Sequence, residues 1–239
     1  MKFLTFLNSG CITICKNMLI SAEKVGLNPD DFIIACLDDN AFNEFKSYKN
    51  AYLAMNHPIT SYVDWSYDPD SEFRQIDKHK WSLIAEHHAV YKNLCYIDTD
   101  IAFKNNPLIY IEDPEKMLFQ KTLGPDDESI IDMSSSLCSG FMVFNDTVKC
   151  HELVKECNLA EHCNQDDQLL INEIALSEEF VDSIRLLPVV KFPLVKDVAG
   201  LSDENKRDAV LYHAAGVVGV QAKIEFLKNN GLWYIKETT

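Results

Sequence analysis

"KFLTFLNSGCITICKNMLISAEKVGLNPDDFIIACLDD", residues 2–39, has the pattern of a β-α-β unit. Its ends, KFLTFLN (2–8) and FIIACLDD (32–39), are short apolar runs typical of buried strands. Apolar residues at positions 12, 15, 19, 22 and 25 have helical spacing, and Gly26 is placed to end that helix. Strands joined by a helix lie parallel with a right-handed crossover, so this stretch predicts a parallel sheet.

The alternation of strands and helices continues, which predicts an α/β fold: a Rossmann-like domain with a mostly parallel central sheet flanked by helices. No repeat or low-complexity linker interrupts the chain, so we expect a single domain over residues 1–239. Further helices are predicted at 40–55, 73–92, 166–176 and 221–231. Further strands are predicted at 59–63, 94–98, 139–145 and within 209–216.

The charge balance limits the possible ligands. The 239 residues include 37 acidic and 22 basic side chains, for a net charge of −15. Nucleic-acid binding relies on clustered Lys and Arg, and no basic run occurs, so we expect no nucleic-acid partner. A ligand that carries phosphate needs another source of positive charge, which a divalent cation held by carboxylates can supply.

The eight cysteines contain no CxxC pair, and several lie in apolar runs, which is typical of reduced, buried thiols in a cytosolic protein. A zinc cluster of Cys157, His162 and Cys163 is disfavoured because its spacing matches no usual zinc pattern. The apolar start of the chain is too short for a signal peptide, and no stretch reaches the roughly 18 apolar residues of a membrane span. We therefore expect a cytoplasmic protein with no membrane span.

Two common nucleotide-binding fingerprints are absent. The turn after the first strand is NSGC (8–11), which lacks the GxGxxG of dinucleotide-binding dehydrogenases. The chain also lacks GxxxxGK[ST], which argues against a P-loop enzyme.

Three acidic sites are instead expected at the carboxyl ends of strands. They are Asp38 and Asp39, Asp98 and Asp100, and Asp166 and Asp167. Ligands of parallel sheets collect at the carboxyl ends of the strands. In extended backbone Asp98 and Asp100 point to the same side, and two such oxygen ligands suit Mg²⁺ or Mn²⁺. An aspartate that simply caps a turn is the alternative.

A phosphoryl-transfer role for YIDTDIAF (96–103) is a second alternative. Phosphatases of the haloacid-dehalogenase type use an aspartate nucleophile in DxDx[TV], but Ala102 occupies the fifth position and the motif lies mid-chain. A response-regulator role for Asp38 and Asp39 is disfavoured because those chains are typically half as long. Both alternatives rank below a metal site.

Five ordered segments resemble the motifs of metal-dependent GT-A glycosyltransferases, the group that contains glycogenin-like enzymes, nucleotide-diphospho-sugar transferases and small stand-alone enzymes of large DNA viruses. They are TFLNSG (5–10), YIDTD (96–100), CSGFMVFND (138–146), DDQLLIN (166–172) and HAAGVVGVQAK (213–223). Each segment alone is a weak signal, but all five in the family's order are a strong one. Cys138 departs from the family's usual Asn, and Cys11 from a frequent Tyr that stacks on the base.

The resemblance implies a site that uses residues from the whole length of the chain. Mn²⁺ or Mg²⁺ would be bound by Asp98, Asp100 and His213. The nucleotide would contact Thr5, Asn8, Ser9, Asp38, Lys80 and Asp98. The donor sugar and diphosphate would contact Ser139, Gly140, Gly216, Gly219 and Lys223. The anomeric carbon would lie beside Asp167 and Gln168, with Asp166 or Asp167 as base if the reaction inverts.

We therefore predict transfer of a hexose or deoxyhexose from a UDP-sugar to a glycan or protein acceptor. The alternatives are a nucleotide-sugar-binding module without transfer activity, and the DxD phosphatase. A sugar-nucleotide pyrophosphorylase would need a Gly-rich, Arg-bearing loop after the first strand, and NSGC does not supply it.

Overall fold

The computed structural model describes residues 1–64, 66, 68, 70–123, 131, 135–160 and 166–236. The strands are β1 (Lys2–Leu7), β2 (Phe32–Cys36), β3 (Asn50–Leu53), β4 (Leu94–Ile97), β5 (Ile101–Phe103), β6 (Met117–Leu123), β7 (Ser136–Phe144), β8 (Ile184–Leu187) and β9 (Leu211–His213). The helices are α1 (Ile12–Lys24), α2 (Asp39–Phe45), α3 (Glu72–Asp77), α4 (Lys80–Tyr91), α5 (Leu108–Ile111), α6 (Val148–Ala160), α7 (Asp167–Ala175), α8 (Val195–Val198), α9 (Asp203–Asp208) and α10 (Val220–Asn229).

A seven-stranded sheet has the order β3-β2-β1-β4-β7-β6-β8, and β5 pairs with β9 in a separate two-stranded sheet. Parallel pairing joins β2 to β3, β1 to β4 and β6 to β8. β7 pairs antiparallel with both β4 and β6. The predicted α/β fold with a mostly parallel sheet is confirmed, and β7 is an antiparallel strand within it.

The local signals at the start of the chain act as expected. β1, α1 and β2 follow one another, and all five residues of β2 are buried. Gly26, with φ +85°, lies just beyond α1, and the Gly26 amide donates to the Glu23 carbonyl. This is the left-handed helix end that glycine favours.

Two sequence predictions are wrong between residues 40 and 63. The predicted helix 40–55 is α2 followed by β3, because residues 50–53 pair with β2 and tertiary pairing overrides local propensity. The predicted strand 59–63 forms no strand. The carbonyls of Ile59 and Ser61 instead accept hydrogen bonds from the Asn8 side chain.

The helix predicted at 73–92 is two helices, α3 and α4. Lys78 caps the end of the first, and His79 caps the start of the second. The strands β5, β6 and β8 and the helices α5, α6, α8 and α9 were not predicted. The described cysteines are free thiols, and all of them except the partly exposed Cys11 are buried. His162 and Cys163 lie outside the described residues.

The chain forms two compact units. The first comprises Met1–Leu4, Trp65–Ile97 and Tyr110–Pro188, and the second comprises Thr5–Asp64, Asp98–Ile109 and Val189–Thr239. In the first unit Trp81 packs edge-on against Phe144. In the second unit Tyr212, Leu227 and Leu232 belong to one buried cluster. The single domain over residues 1–239 stays a prediction.

Among the described residues, no helix combines the length and apolar character that crossing a bilayer requires.

Candidate functional site

In the second unit, two aspartates and a histidine converge at the two-stranded sheet. β5 pairs antiparallel with β9, with Ile101 opposite His213. Asp100 directly precedes β5, and its carbonyl accepts a hydrogen bond from the Ala214 amide at 3.1 Å. Backbone pairing therefore places His213 beside Asp98 and Asp100, although they are distant in sequence.

The three side chains offer ligand atoms that all lie within 4.8 Å of one another. His213 Nε2 lies 3.2 Å from Asp100 Oδ1 and 3.7 Å from Asp98 Oδ2. Asp100 Oδ1 is buried and accepts no hydrogen bond of ordinary geometry from the described residues. A buried acceptor in that situation calls for a cation or water, and two carboxylates with an imidazole suit Mn²⁺ or Mg²⁺. These residues therefore fit a divalent cation.

Lys223, in α10, brings a positive charge to the same cluster. Its Nζ donates to Asp100 Oδ2 at 2.5 Å and to the Ala214 carbonyl at 3.4 Å. Burial alone would lower the pKa of Lys223, but the Asp100 charge raises it above its ordinary value. Burial would likewise raise the pKa of Asp100, but Lys223 and His213 hold it well below its usual range. Both side chains are therefore charged.

Two glycines shape the turn between β9 and α10. Gly216 has φ +80° and Gly219 has φ +90°, and an added Cβ at either position would meet open space. The Gly219 amide donates to Asp64 Oδ1 at 2.6 Å. The amide thus already accommodates one anionic oxygen.

Near the end of β1, the predicted nucleotide contacts Asn8, Ser9 and Asp38 are held by hydrogen bonds within the protein. Asp38 caps α2 by accepting from the Ala41 amide at 2.9 Å, and it also accepts from the Ser9 hydroxyl and amide. Burial would raise the pKa of Asp38, but these hydrogen bonds lower it below its ordinary value. The hydroxyl of Thr5 is buried and makes no hydrogen bond among the described residues.

Asn8 and Gly10 fix the segment 59–62 against the start of α1. Asn8 Nδ2 donates to the carbonyls of Ile59 at 3.0 Å and Ser61 at 2.8 Å. A Cβ built on Gly10 would lie 1.9 Å from the Tyr62 amide nitrogen. The two chain segments therefore approach as closely as a glycine allows.

Tyr62, on this segment, lies within electrostatic range of Lys223, Asp64 and Asp100. Burial raises its pKa to about 12, so the phenol stays protonated and can donate a hydrogen bond.

In the first unit, Asp167, the first residue of α7, lies in a buried cluster with Ser139, a predicted sugar contact, and Lys80, which was predicted to contact the nucleotide. Lys80, at the start of α4, donates a short hydrogen bond to Asp167 Oδ2, and the Ser139 hydroxyl also donates to Asp167. Burial would raise the pKa of Asp167, but Lys80 lowers it below its ordinary value. Lys80 is only 4% exposed, so it is not a solvated helix residue.

Asp166 caps α7: its Oδ1 accepts from the amides of Gln168 at 2.9 Å and Leu169 at 3.0 Å. Its Oδ2 accepts from Arg74 at 2.5 Å. One turn further along α7, Asn172 bonds to both the amide and the carbonyl of Leu137 in β7. α7 is therefore fixed at its first residues and to the strand that contains Ser139 and the buried Gly140.

The structure thus brings the predicted residues together in two groups. The second unit contains Thr5, Asn8, Ser9, Asp38, Asp98, Asp100, His213, Gly216, Gly219 and Lys223. The first unit contains Lys80, Ser139, Gly140, Asp166, Asp167 and Gln168. Sequence reasoning missed Gly10, Tyr62, Arg74 and Asp77. In the sequence, Arg74 and Asp77 show only as charged residues on a predicted helix. Such residues are usually exposed to solvent, so they gave no reason to predict a functional role.

Comparison with known structures shows the fold. The galactosyltransferase LgtC, solved with donor and acceptor sugar analogues, is 10% identical with a TM-score of 0.59 over 99% of this chain and 98% of LgtC. A glycosyltransferase involved in glycosylation of the major capsid of PBCV-1 is 10% identical, with a TM-score of 0.56 over 95% of this chain and 98% of that one. The bifunctional glycosyltransferase WbbM is 12% identical with a TM-score of 0.54, and the match spans 96% of this chain but half of WbbM.

Comparison with curated protein sequences gives no significant match. A family model, described as nucleotide-diphospho-sugar transferase, matches residues 28–227, well over half of the chain. The matched region contains both aspartates of the metal-fitting cluster, His213 and the whole buried cluster around Asp167. By this match the chain belongs to the nucleotide-diphospho-sugar transferase family and is a glycosyltransferase of GT-A fold.

Proposed function

We propose that the protein transfers a hexose or deoxyhexose from a UDP-sugar to a glycan or protein acceptor, with Mn²⁺ (or Mg²⁺) held by Asp98, Asp100 and His213. The observation that carries this proposal is the convergence of three ligand atoms within 4.8 Å beside Lys223. When bound, the cation would neutralise charge on the diphosphate leaving group.

The residues of the second unit bind the nucleotide in this proposal. Lys223, which pairs with Asp100, also pairs with the diphosphate when the nucleotide binds. The turn that contains Gly216 and Gly219 allows phosphate oxygens to lie close to the backbone. Thr5 offers its buried hydroxyl to the nucleoside. Asp38 accepts a uracil N–H in place of one of the hydrogen bonds that it already accepts from backbone amides and from the Ser9 hydroxyl. Asn8 and Ser9 hold the surrounding backbone.

The residues of the first unit bind the sugar in this proposal. Asp167, kept ionised by Lys80, accepts hydrogen bonds from sugar hydroxyls, and Gln168 lies next to it at the reacting carbon. Ser139 and Gly140 line the sugar, with Ser139 orienting Asp167. Asp166 uses both carboxylate oxygens within the protein, so Asp167 is the better candidate for any base.

A screen of UDP-sugars for Mn²⁺-dependent UDP release tests the proposal. Asp100→Asn should lower turnover at least about 100-fold, on the scale of losing one stabilising group at the transition state. Asp146→Asn is the matched control, because Asp146 is an exposed carboxylate that pairs with Lys92 at 3.1 Å. Near-wild-type turnover of Asp100→Asn would refute the metal assignment.

The alternatives predict different results in the same assays. Metal-dependent UDP binding by calorimetry, without hydrolysis or transfer, would identify a binding module. An aspartyl-phosphate trapped at Asp98 would identify the phosphatase and overturn the proposal.

A further inference from the structure

We infer that Arg74 is a positioning residue for glycosyl transfer, acting through Asp166 on Asp167 and Gln168. The inference rests on the proposed function, which places Asp167 and Gln168 at the donor sugar. Arg74 lies on α3, far from α7 in sequence, and no motif of the chain includes it.

The first observation is a buried network of five charges within the first unit. Arg74 Nη2 donates to Asp166 Oδ2 at 2.5 Å, and Arg74 Nη1 donates to Asp77 Oδ2 at 3.4 Å. Asp77 Oδ1 lies 3.7 Å from Lys80 Nζ, which in turn binds Asp167. Each of these side chains is at most 8% exposed.

The second observation is that Arg74 and the start of α7 share one carboxylate. Asp166 Oδ1 accepts from the amides of Gln168 and Leu169, while Oδ2 accepts from Arg74. The guanidinium therefore sets the orientation of the capping carboxylate, and that carboxylate fixes the first turn of α7. A shift of Arg74 would pass directly to Asp167 and Gln168.

The same network reaches Asp167 from its other side. Arg74 and Lys80 both contact Asp77, which is one turn from each of them along the chain. Asp77 thus links the group that orients Asp166 to the group that binds Asp167. The two neighbouring aspartates at the start of α7 are held by two cations that share one anion.

This arrangement is more demanding than stability alone requires. Apolar residues of similar volume often replace buried ion pairs without loss of stability. The buried charge network holds the helix start that carries Asp167 and Gln168, the residues proposed at the reacting sugar. Precise placement of these two residues explains the network better, since a misplacement of about 1 Å can cost about 100-fold in rate.

The test compares Arg74→Gln, Arg74→Lys and Asp166→Asn in the full chain. Arg185→Gln is the matched control, because Arg185 pairs with Asp113 at 3.4 Å in the same unit but is exposed. Turnover and KM are measured with the UDP-sugar that the unaltered protein uses, and the Kd of UDP with Mn²⁺ is measured by calorimetry. Thermal unfolding gives the folded fraction of each variant.

We expect Arg74→Gln to lower kcat about 10- to 100-fold, in line with the misplacement effect, while Kd for UDP changes less than about threefold. Arg74→Lys keeps a charge but loses the two-pronged contact, so it should recover part of the rate. Asp166→Asn retains a capping side chain and should lower kcat in the same direction. The double variant Arg74→Gln with Asp166→Asn should be no slower than Arg74→Gln alone, because both act through one contact.

Unchanged kcat per folded molecule in Arg74→Gln would overturn the inference, as would fully additive effects in the double variant. If Arg74→Gln does not fold, Arg74→Lys and Asp166→Asn decide by the same criterion. If the unaltered protein releases no UDP from any UDP-sugar, the proposed function fails. An active protein in which Arg74→Gln matches Arg185→Gln removes only the inference.

Discussion

Replacing Gly10 by alanine should displace the segment 59–62 and destabilise the protein. An added Cβ would lie 1.9 Å from the Tyr62 nitrogen and 2.3 Å from the Ser61 carbonyl carbon, both backbone atoms. Ordinary contact begins at 3.4 Å, so the segment must move by 3.4 − 1.9 = 1.5 Å. A rotamer change cannot relieve this clash, because no side-chain atom causes it.

The cost follows from what that movement breaks. The Asn8 hydrogen bonds to Ile59 and Ser61 are 3.0 Å and 2.8 Å long, and a shift of this size would break both. Two lost hydrogen bonds cost about 1–3 kcal/mol together, and overpacking adds about 1–3 kcal/mol. We therefore expect the free energy of unfolding to fall by about 2–6 kcal/mol.

Urea unfolding of Gly10→Ala and Gly200→Ala provides the test. Gly200 is the matched control, because its added Cβ would meet only the Asp197 carbonyl oxygen, at 3.6 Å. Its free energy of unfolding should change by no more than about 1 kcal/mol. The reasoning is refuted if Gly10→Ala unfolds at the same urea concentration as Gly200→Ala.

Three further predictions concern stability. Asn172→Ala should cost about 2–4 kcal/mol in denaturant unfolding, because Leu137 loses the partner of its amide and carbonyl, and a change under about 1 kcal/mol would contradict this. Gly219→Ala should cost about 1–2 kcal/mol through its φ of +90° alone, since open space surrounds it; an unchanged midpoint would argue against backbone strain. The pKa of Asp167 is lowered by Lys80 against burial, so its stabilising contribution is complete above about pH 4 and is lost as the pH falls below that value. Asp167→Asn should therefore show a shallower decline in unfolding free energy from about pH 5 to about pH 3, and an equal slope would count against the pairing.

Local apolar patterns predicted the helices and strands whose own sequence shows a clear apolar run or helical spacing. β1, α1, β2, β4, β7, α7 and α10 all occur within or close to the predicted ranges. The strand β3 was missed because Asn50–Leu53 is only half-buried, and its pairing with β2 is a tertiary effect. β5 was missed because three residues are too few to show alternation.

The candidate site likewise contains residues that the sequence indicated and residues that only the structure revealed. The order of the motifs indicated that Asp98, Asp100 and His213 belong together, and the structure brings them within ligand distance. Their roles, like those of the other site residues, stay predictions. Arg74 could not be found from sequence, because a charge on a helix face shows no sign of a partner 92 positions away. Asn8 was predicted as a nucleotide contact, and its two donated bonds to the 59–62 backbone were equally invisible.

The pairing of β5 with β9 makes the chain sensitive to insertions and deletions in a position-dependent way. β9 has three residues, and its register with β5 sets which side chain faces the aspartates. A slip of one residue would place Tyr212 or Ala214 opposite Ile101 and turn the imidazole to the other face of the ribbon. Length changes in the exposed helix α9 leave that register intact, whereas one residue added within Leu211–His213 removes the histidine from the cluster without altering any amino acid of the site.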